Sequence, residues 1–366
     1  MDRRQILIGG GALAAVGVGA TLVGRRQMGS SLDYDAATAS MRAPLPNRPQ
    51  IRELVRYATL APNSHNTQAW LFRASDHRID ILPDMSRRTP VVDPDDHHLF
   101  VSLGCAAENL ALASAARGLS GDPRFDPATN GSVAFEYRAA PSVASVLFDA
   151  IPARQSTRAD YDGRTVGVAD LRTLATAAAV PGVDLVLITD RREMGRISDL
   201  VVAGTSAQMT DPAFVRELKS WLRFSPRQAL KTGDGLYSVA SGNPALPEWL
   251  GTRAFDWLVT AKSETDRYAR QMRSSAGIAI FIAQQDNREH WVLAGRACQR
   301  FALQATALGL KYAFINQPLE VVRLRPELAA LVGMSGSRPD IVMRFGYGPT
   351  LPYSARRPAE TVMRSK

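Results

Sequence analysis

The sequence predicts an α+β fold in which one helix-and-strand unit occurs twice, as two tandem repeats forming an internal pseudo-dimer with a lid insertion. Three observations carry this expectation. Gly104-Cys105-Ala106-Ala107-Glu108-Asn109-Leu110-Ala111-Leu112, continuing to Ala116-Arg117-Gly118-Leu119, recurs in register as Gly295-Arg296-Ala297-Cys298-Gln299-Arg300-Phe301-Ala302-Leu303, continuing to Ala307-Leu308-Gly309-Leu310. A candidate strand precedes each copy, at 78–82 and 277–283. Between about 205 and 262 the pattern degrades, and three of the five tryptophans (Trp221, Trp249, Trp257) gather there with Gly233, Gly235, Gly242, Pro244 and Pro247. Long irregular stretches in compact chains are often lids or binding loops.

The elements follow in order. Arg3-Arg4 precede an uncharged, glycine-diluted run at 5–24, followed by Arg25-Arg26. Residues 1–30 therefore read as a twin-arginine export signal or a retained membrane anchor. Residues 31–48 are small, polar and Pro-containing and read as a linker. The first repeat spans 49–150. Ile51, Leu54, Val55 and Ala58 keep helical spacing, and Pro62-Asn63-Ser64 ends that helix in turn chemistry. Residues 69–74 and 79–82 read as strands, 101–119 as an Ala-rich helix and 142–151 as a short helix. The second repeat spans 151–357. It opens with a helix at 170–179, with Asp170 as its N-cap, then a strand at 183–189 and a helix at 193–209. A tail at 358–366 closes the chain.

Composition narrows the function. The chain has 366 residues, 45% hydrophobic and 22% charged, which is globular composition. Two cysteines exclude a disulfide framework and a Cys₄ zinc site. Lys+Arg total 44 against 35 acids, for a net charge of +9. The excess is dispersed, with no basic block, so it favours small anionic ligands over nucleic acid. No H-E-x-x-H, nucleophile elbow or P-loop is present. Neighbouring His97-His98, beside Asp93, Asp95 and Asp96, read as a solvated helix start capped by Asp95 or Asp96, so no metal site is expected. Cys105 and Cys298 sit among small apolar residues and read as buried structural thiols.

Two clusters remain. Ala61-Pro62-Asn63-Ser64-His65-Asn66-Thr67-Gln68-Ala69-Trp70 packs amides and hydroxyls into a turn, which suits the edge of a heteroaromatic ring. Arg154-Gln155-Ser156-Thr157-Arg158 flanks hydroxyls with two guanidinium forks, which suits a phosphate plus a second anionic centre. Arg356-Arg357 forms a third basic group after Gly346-Tyr347-Gly348.

On these residues the sequence resembles the FMN-dependent nitroreductase family, in its longer, fused, two-repeat Acg-like branch. The family's R-x-S-x-R/K motif is similar to Arg154–Arg158. Its A-P-S-S-x-N-x-Q-P-W helix end is similar to Ala61–Trp70, with Asn63 in place of Ser and Ala69 in place of Pro. Its late G-x-A-x-Q-x-x-L-x-A-x-x-x-G-L helix is similar to 295–310. Its closing G-Y and basic pair are similar to Gly346-Tyr347 and Arg356-Arg357. The likeness covers about 51–357 outside the insertion.

The resemblance implies an FMN cofactor and ping-pong two-electron transfer, through flavin N5, between a small-molecule electron donor and a small organic acceptor. The flavin would carry the chemistry, so no catalytic side chain is expected. The amide turn occurs only in the first half and the arginine motifs only in the second, which implies one complete FMN site per chain. Arg154, Gln155, Ser156, Arg356 and Arg357 would hold the phosphate side. Arg158 would lie at the flavin N1/O2 edge. Asn63, Ser64, Asn66 and Gln68 would reach in from the other half. A fused pair of repeats implies a monomer. The signal implies passage through the twin-arginine machinery to the periplasm or cell envelope, the alternative being cytoplasmic. The rival function is a non-catalytic protein that sequesters flavin beneath a closed aromatic lid.

Overall fold

The computed structural model describes residues 28–128 and 130–364. Arg3-Arg4 and the uncharged run after them lie outside the described residues. Among those described, no helix is long and apolar enough to cross a membrane.

The expected linker is not one. It carries a helix, Ser31–Met41, capped by Ser30, whose Oγ accepts from Asp33 N at 3.2 Å. Tyr34 and Thr38 lie one turn apart and are buried. The Tyr34 ring sits 4.4 Å from that of Tyr237, and its hydroxyl donates to Tyr353 O at 2.8 Å. A single aromatic pinning a small-residue helix leaves almost no trace in composition. The helix Ile51–Thr59 follows, with a Gln50/Glu53 capping box and Leu54, Val55 and Ala58 buried on one stripe.

The first sheet is built on the hairpin Trp70–Ser75 and Arg78–Pro83, paired antiparallel from Trp70↔Pro83 to Ser75↔Arg78. Ser132–Glu136 and Arg124–Asp126 extend it on one side. On the other, Met363–Arg364 joins Trp70–Ser75 in parallel, with Phe72 opposite Met363. The segment expected as a tail is thus an edge strand of the first repeat's sheet. The second sheet is antiparallel, in the order Lys311–Phe314, Pro339–Gly346, Gly277–Ala283, Val183–Ile188. Gly277–Ala283 is buried along its whole length, as a central strand covered on both faces should be.

Helices His97–Ala115 and Arg288–Ala307 cross in the seam between the sheets and carry the repeated motif. Their approach is reciprocal. A Cβ on Gly104 would lie 2.0 Å from Val292 O, and one on Gly295 would lie 2.0 Å from Val101 O. Cys105 Sγ donates to Gly295 O at 3.1 Å. Gln299 Nε2 donates to Asn109 Oδ1 at 2.6 Å. Glu108, 2% exposed, accepts from Arg296 and Arg300 at 2.9 and 2.8 Å. One apolar core runs through both helices and the inner faces of both sheets.

Several boundaries move. The first seam helix begins at His97 rather than 101. The short helix is Val146–Ala150, capped by Ser145. Val168–Ala178 is capped at Gly167, so Asp170 lies inside its first turn. The region at 205–262 is mostly helical, comprising the end of Arg191–Thr210, then Pro212–Ser220, Pro226–Thr232 and Glu248–Leu258.

Candidate functional site

The amide turn is built under backbone strain. His65, Asn66 and Gln68 have φ of 46°, 53° and 54°, in the left-handed region that side chains with a Cβ rarely adopt. The turn is held from several directions. Asn63 Oδ1 accepts from Gln68 N at 2.8 Å. Asn66 Nδ2 donates to Gly235 O and Ala355 O at 3.0 and 3.1 Å. Gln68 Nε2 donates to Gly233 O, and its Oε1 accepts from Arg357 N, both at 2.8 Å. Asn66 and Gln68, expected at the ligand, therefore stitch the turn to the insertion and to the carboxyl-terminal segment. Asn63 and Ser64 face a cavity instead, and His65 beside them does the same.

The arginine motif divides similarly. Arg154 is 2% exposed, donating to Tyr312 OH at 2.5 Å and Leu60 O at 2.6 Å. Arg154, expected on the phosphate side, is thus held inside the protein and is not part of the cavity lining. Gln155 is tied to Leu351 through both its amide oxygen and nitrogen. Ser156 forms a β-bridge with Tyr312. Arg356 donates to Thr59 O, Asn66 Oδ1 and Ala61 O at 2.7, 2.8 and 3.2 Å. Arg154 and Arg356 thus both cap the carbonyl end of helix Ile51–Thr59. Arg357 donates to Gln68 O and lies 3.7 Å from Asp84.

Arg42, which sequence reasoning missed, joins this cluster. Burial and then Arg154 hold its guanidinium down at about 10. Burial, then Arg42 and Arg154, pull Arg356 well below its ordinary range. Among the described residues Arg42, Arg154 and Arg356 have no carboxylate partner, and the Nε atoms of Arg42 and Arg154 are buried without a hydrogen bond.

Arg158 behaves differently. Its backbone is fixed, since Gln271 Nε2 donates to Arg158 O at 2.8 Å. Fully buried Arg344 donates to Ala159 O at 2.8 Å and stacks 4.1 Å from the Tyr161 ring centre. The Arg158 guanidinium reaches the cavity wall and makes no hydrogen bond or ion pair among the described residues. Burial lowers its pKa, and Arg267 adds to that effect.

The cavity measures about 370 Å³, within the range of small-molecule sites. The first half contributes Asn63, Ser64, His65, His98, Ser102 and Cys105. The second contributes Arg158, Cys298, Phe314, Asn316, Gln317 and Glu320. Residues of the insertion roof it, with Phe214, Phe224 and Phe255 facing inward. The aromatic roof is therefore phenylalanine. Trp249 and Trp257 are 59% and 81% exposed, and Trp221 lies under Arg87 and Arg223. Burial pushes the Cys298 thiol well up, with Cys105 adding to it, so it is no nucleophile. Burial also raises Glu320 and Glu264 above the ordinary carboxylate range.

His97 and His98 do not form a solvated helix start, because both are buried. Asp96 holds the N-cap position without a side-chain bond. Asp93 does the capping, accepting from His98 N and Leu99 N at 3.0 Å each. Chain reversal between 93 and 97 folds the histidines inward, and no local periodicity signals it.

No protein-family model matches the chain. A Mycobacterium tuberculosis H37Rv protein, provisionally named an NAD(P)H nitroreductase, is 27% identical over 339 residues, covering 89% of this chain and 94% of that relative. A second from the same strain, provisionally named NAD(P)H nitroreductase acg, is 24% identical over 325 residues, covering 85% and 94%. Among solved structures, a Desulfitobacterium hafniense nitroreductase with bound FMN aligns at a TM-score of 0.38 with 15% identity, covering 59% of this chain and 96% of its own. The Mycobacterium smegmatis FMN-dependent nitroreductase NfnB, in complex with NADPH, aligns at 0.37 with 13% identity, covering 56% and 87%. The chain is thus similar along most of its length to two proteins named nitroreductases.

Proposed function

We propose that this chain is an FMN-dependent oxidoreductase of the nitroreductase type, passing electron pairs from a nicotinamide donor to a small organic acceptor in a ping-pong cycle. The names of its curated relatives support the reaction class. The observation that carries the site is Arg158, a guanidinium without a hydrogen-bond or ion-pair partner among the described residues, in the wall of a roofed cavity. FMN bound there would supply reversible two-electron transfer through its N5.

The chain's part is binding, orientation and charge. Arg158 would stand at the pyrimidine edge, where its charge favours the reduced, anionic ring. Asn63 and Ser64 offer hydrogen-bonding groups from the opposite half. The cluster of Arg42, Arg154 and Arg356, without a carboxylate partner among the described residues, lies outside the cavity lining and would favour a phosphate only through its net positive charge. Phenylalanines of the roof would exclude water from the ring. The reciprocal Gly104/Val292 and Gly295/Val101 approach supports a fused pseudo-dimer that is monomeric, with one site per chain.

The absorbance spectrum of purified or FMN-reconstituted protein tests the reading. Flavin bands near about 450 nm at one equivalent per chain are expected. Turnover with NADH or NADPH and a nitroaromatic or quinone acceptor is expected as well. Stoichiometric flavin without turnover would point to a sequestering protein, and no flavin binding would overturn both. We further propose export through the twin-arginine route, on the strength of Arg3-Arg4 and the uncharged run after them. Replacing both by lysine keeps the charge and should block export, because the pair is read by a receptor.

A further inference from the structure

We propose that Asp93, His97 and His98 form a site for one divalent transition-metal ion in the cavity wall, with Asp340 orienting His97. One ligand atom from each of Asp93, His97 and His98 lies within 4.8 Å of the others, and all three residues are buried. Three ligands at about 2.1 Å from one ion lie about 3.4–3.6 Å apart, so atoms separated by as much as 4.8 Å close on it with shifts of up to roughly 0.8 Å each.

Two features point to an ion. His98 is 7% exposed, and its Nε2 is buried with no hydrogen-bond partner among the described residues. An unsatisfied buried nitrogen is costly unless something occupies it. Asp340 Oδ1 sits 2.7 Å from His97 Nε2. As a carboxylate it accepts that N–H and leaves Nδ1 as the free lone pair, the arrangement in which metal-bound histidines are usually held. Glu320 Oε1 lies 3.9 Å from His98 Nδ1, too far for a hydrogen bond, and stands beside the ring nitrogen that the ion would leave free.

Asp93 already accepts two helix N–H groups, yet a carboxylate has about four lone-pair sites and can do both. Two imidazoles with a carboxylate select zinc, cobalt or ferrous iron over magnesium or calcium, which take oxygen. His98 and Glu320 both border the cavity, so a coordination position left open would face its contents.

The site does not depend on flavin, so the test uses tag-free, flavin-free protein. Titration with Co²⁺ should give a visible ligand-field spectrum saturating at one equivalent. Zn²⁺ should displace it and remain at one per chain after desalting. His98→Gln, which keeps the capped backbone N–H, should weaken Co²⁺ binding at least tenfold. Asp340→Asn should weaken it about ten- to a hundredfold. His77→Gln, in the exposed hairpin turn, should change nothing. Circular dichroism checks that each variant is folded. If His98→Gln fails to fold, the parent titration and Asp340→Asn still decide. Substoichiometric binding in the parent, or binding unchanged in His98→Gln and Asp340→Asn, would overturn the proposal and leave the cluster a hydrogen-bonded helix cap.

Discussion

Arg356 Nη1 donates to Asn66 Oδ1 at 2.8 Å, joining residues 290 positions apart in sequence. The bond ties the carboxyl-terminal segment to a turn whose backbone is left-handed at three non-glycine positions. Arg356→Ala should therefore destabilise the flavin-free protein. Each charge-assisted bond removed costs about 1.5–3 kcal/mol, and the turn would relax as well. Urea unfolding without flavin measures it. Arg356→Lys should rescue little, since one ammonium cannot span Thr59 O, Asn66 and Ala61 O. An unchanged midpoint would mean the turn is held without Arg356.

Arg154 and Arg158 should separate in the same assay. Arg154→Ala leaves the Tyr312 hydroxyl and Leu60 O without their buried donor and should lower stability by about 2–3 kcal/mol. Arg158→Ala removes a side chain with no hydrogen-bond or ion-pair partner among the described residues and should move stability by less than about 0.5 kcal/mol. It should instead lower the reduction potential of bound flavin. Denaturation curves and a potential measurement on both variants check the split. Equal stability losses would sink it.

Gly104→Ala should be far worse than Gly195→Ala, although both glycines are helical. At Gly104 the new methyl meets Val292 O at 2.0 Å, and the obstacle is backbone. Overpacking of that kind costs about 1–3 kcal/mol or more. At Gly195 nothing lies within 4 Å, so alanine's helix propensity should stabilise by up to about 1 kcal/mol. Thermal melts of the two variants should move in opposite directions.

His65 gives the stability a pH dependence of known sign. Burial, then Arg158 and His98, hold its pKa at about 4 against an ordinary 6.5. Below pH 6.5 the unfolded chain takes up a proton that the folded one refuses until about pH 4. The His65 contribution is thus complete above about 6.5, is lost as pH falls toward 4, and is flat below. His65→Asn, which tolerates the left-handed backbone, should flatten this part of the curve. Urea midpoints at about pH 7 and about pH 4.5 should lie closer together in the variant than in the parent, the remaining gap of this sign coming from His97 and His98, which burial also holds below the ordinary value. A parent-sized loss in His65→Asn would assign the slope to another group.

The sequence by itself determined what is local or periodic. The two Gly/Ala helices were legible because small residues at fixed spacing are what a close crossing demands, and Gly277–Ala283 because a fully buried strand is a continuous apolar run. The amide turn and the arginine motif were legible as clusters for the same reason. Tertiary structure alone decided what each member does. Asn66, Gln68, Arg154 and Arg356 look from sequence like ligand contacts, yet in the fold their groups meet carbonyls, hydroxyls and amides from distant segments. Only Asn63, Ser64 and Arg158 of the expected set border the cavity. His98, at the start of its helix, and Asn316 and Glu320, at the two ends of one short helix, border it from two segments that no motif marks. The helix at 31–41 was hidden because one buried tyrosine holds it. The edge strand at 363–364 was hidden because its partner lies nearly three hundred residues upstream, at Phe72 and Arg73. Hydrogen-bonding side chains carry the same capacity wherever they stand; which partner they meet depends on long-range closure, and that is not written in their own neighbourhood.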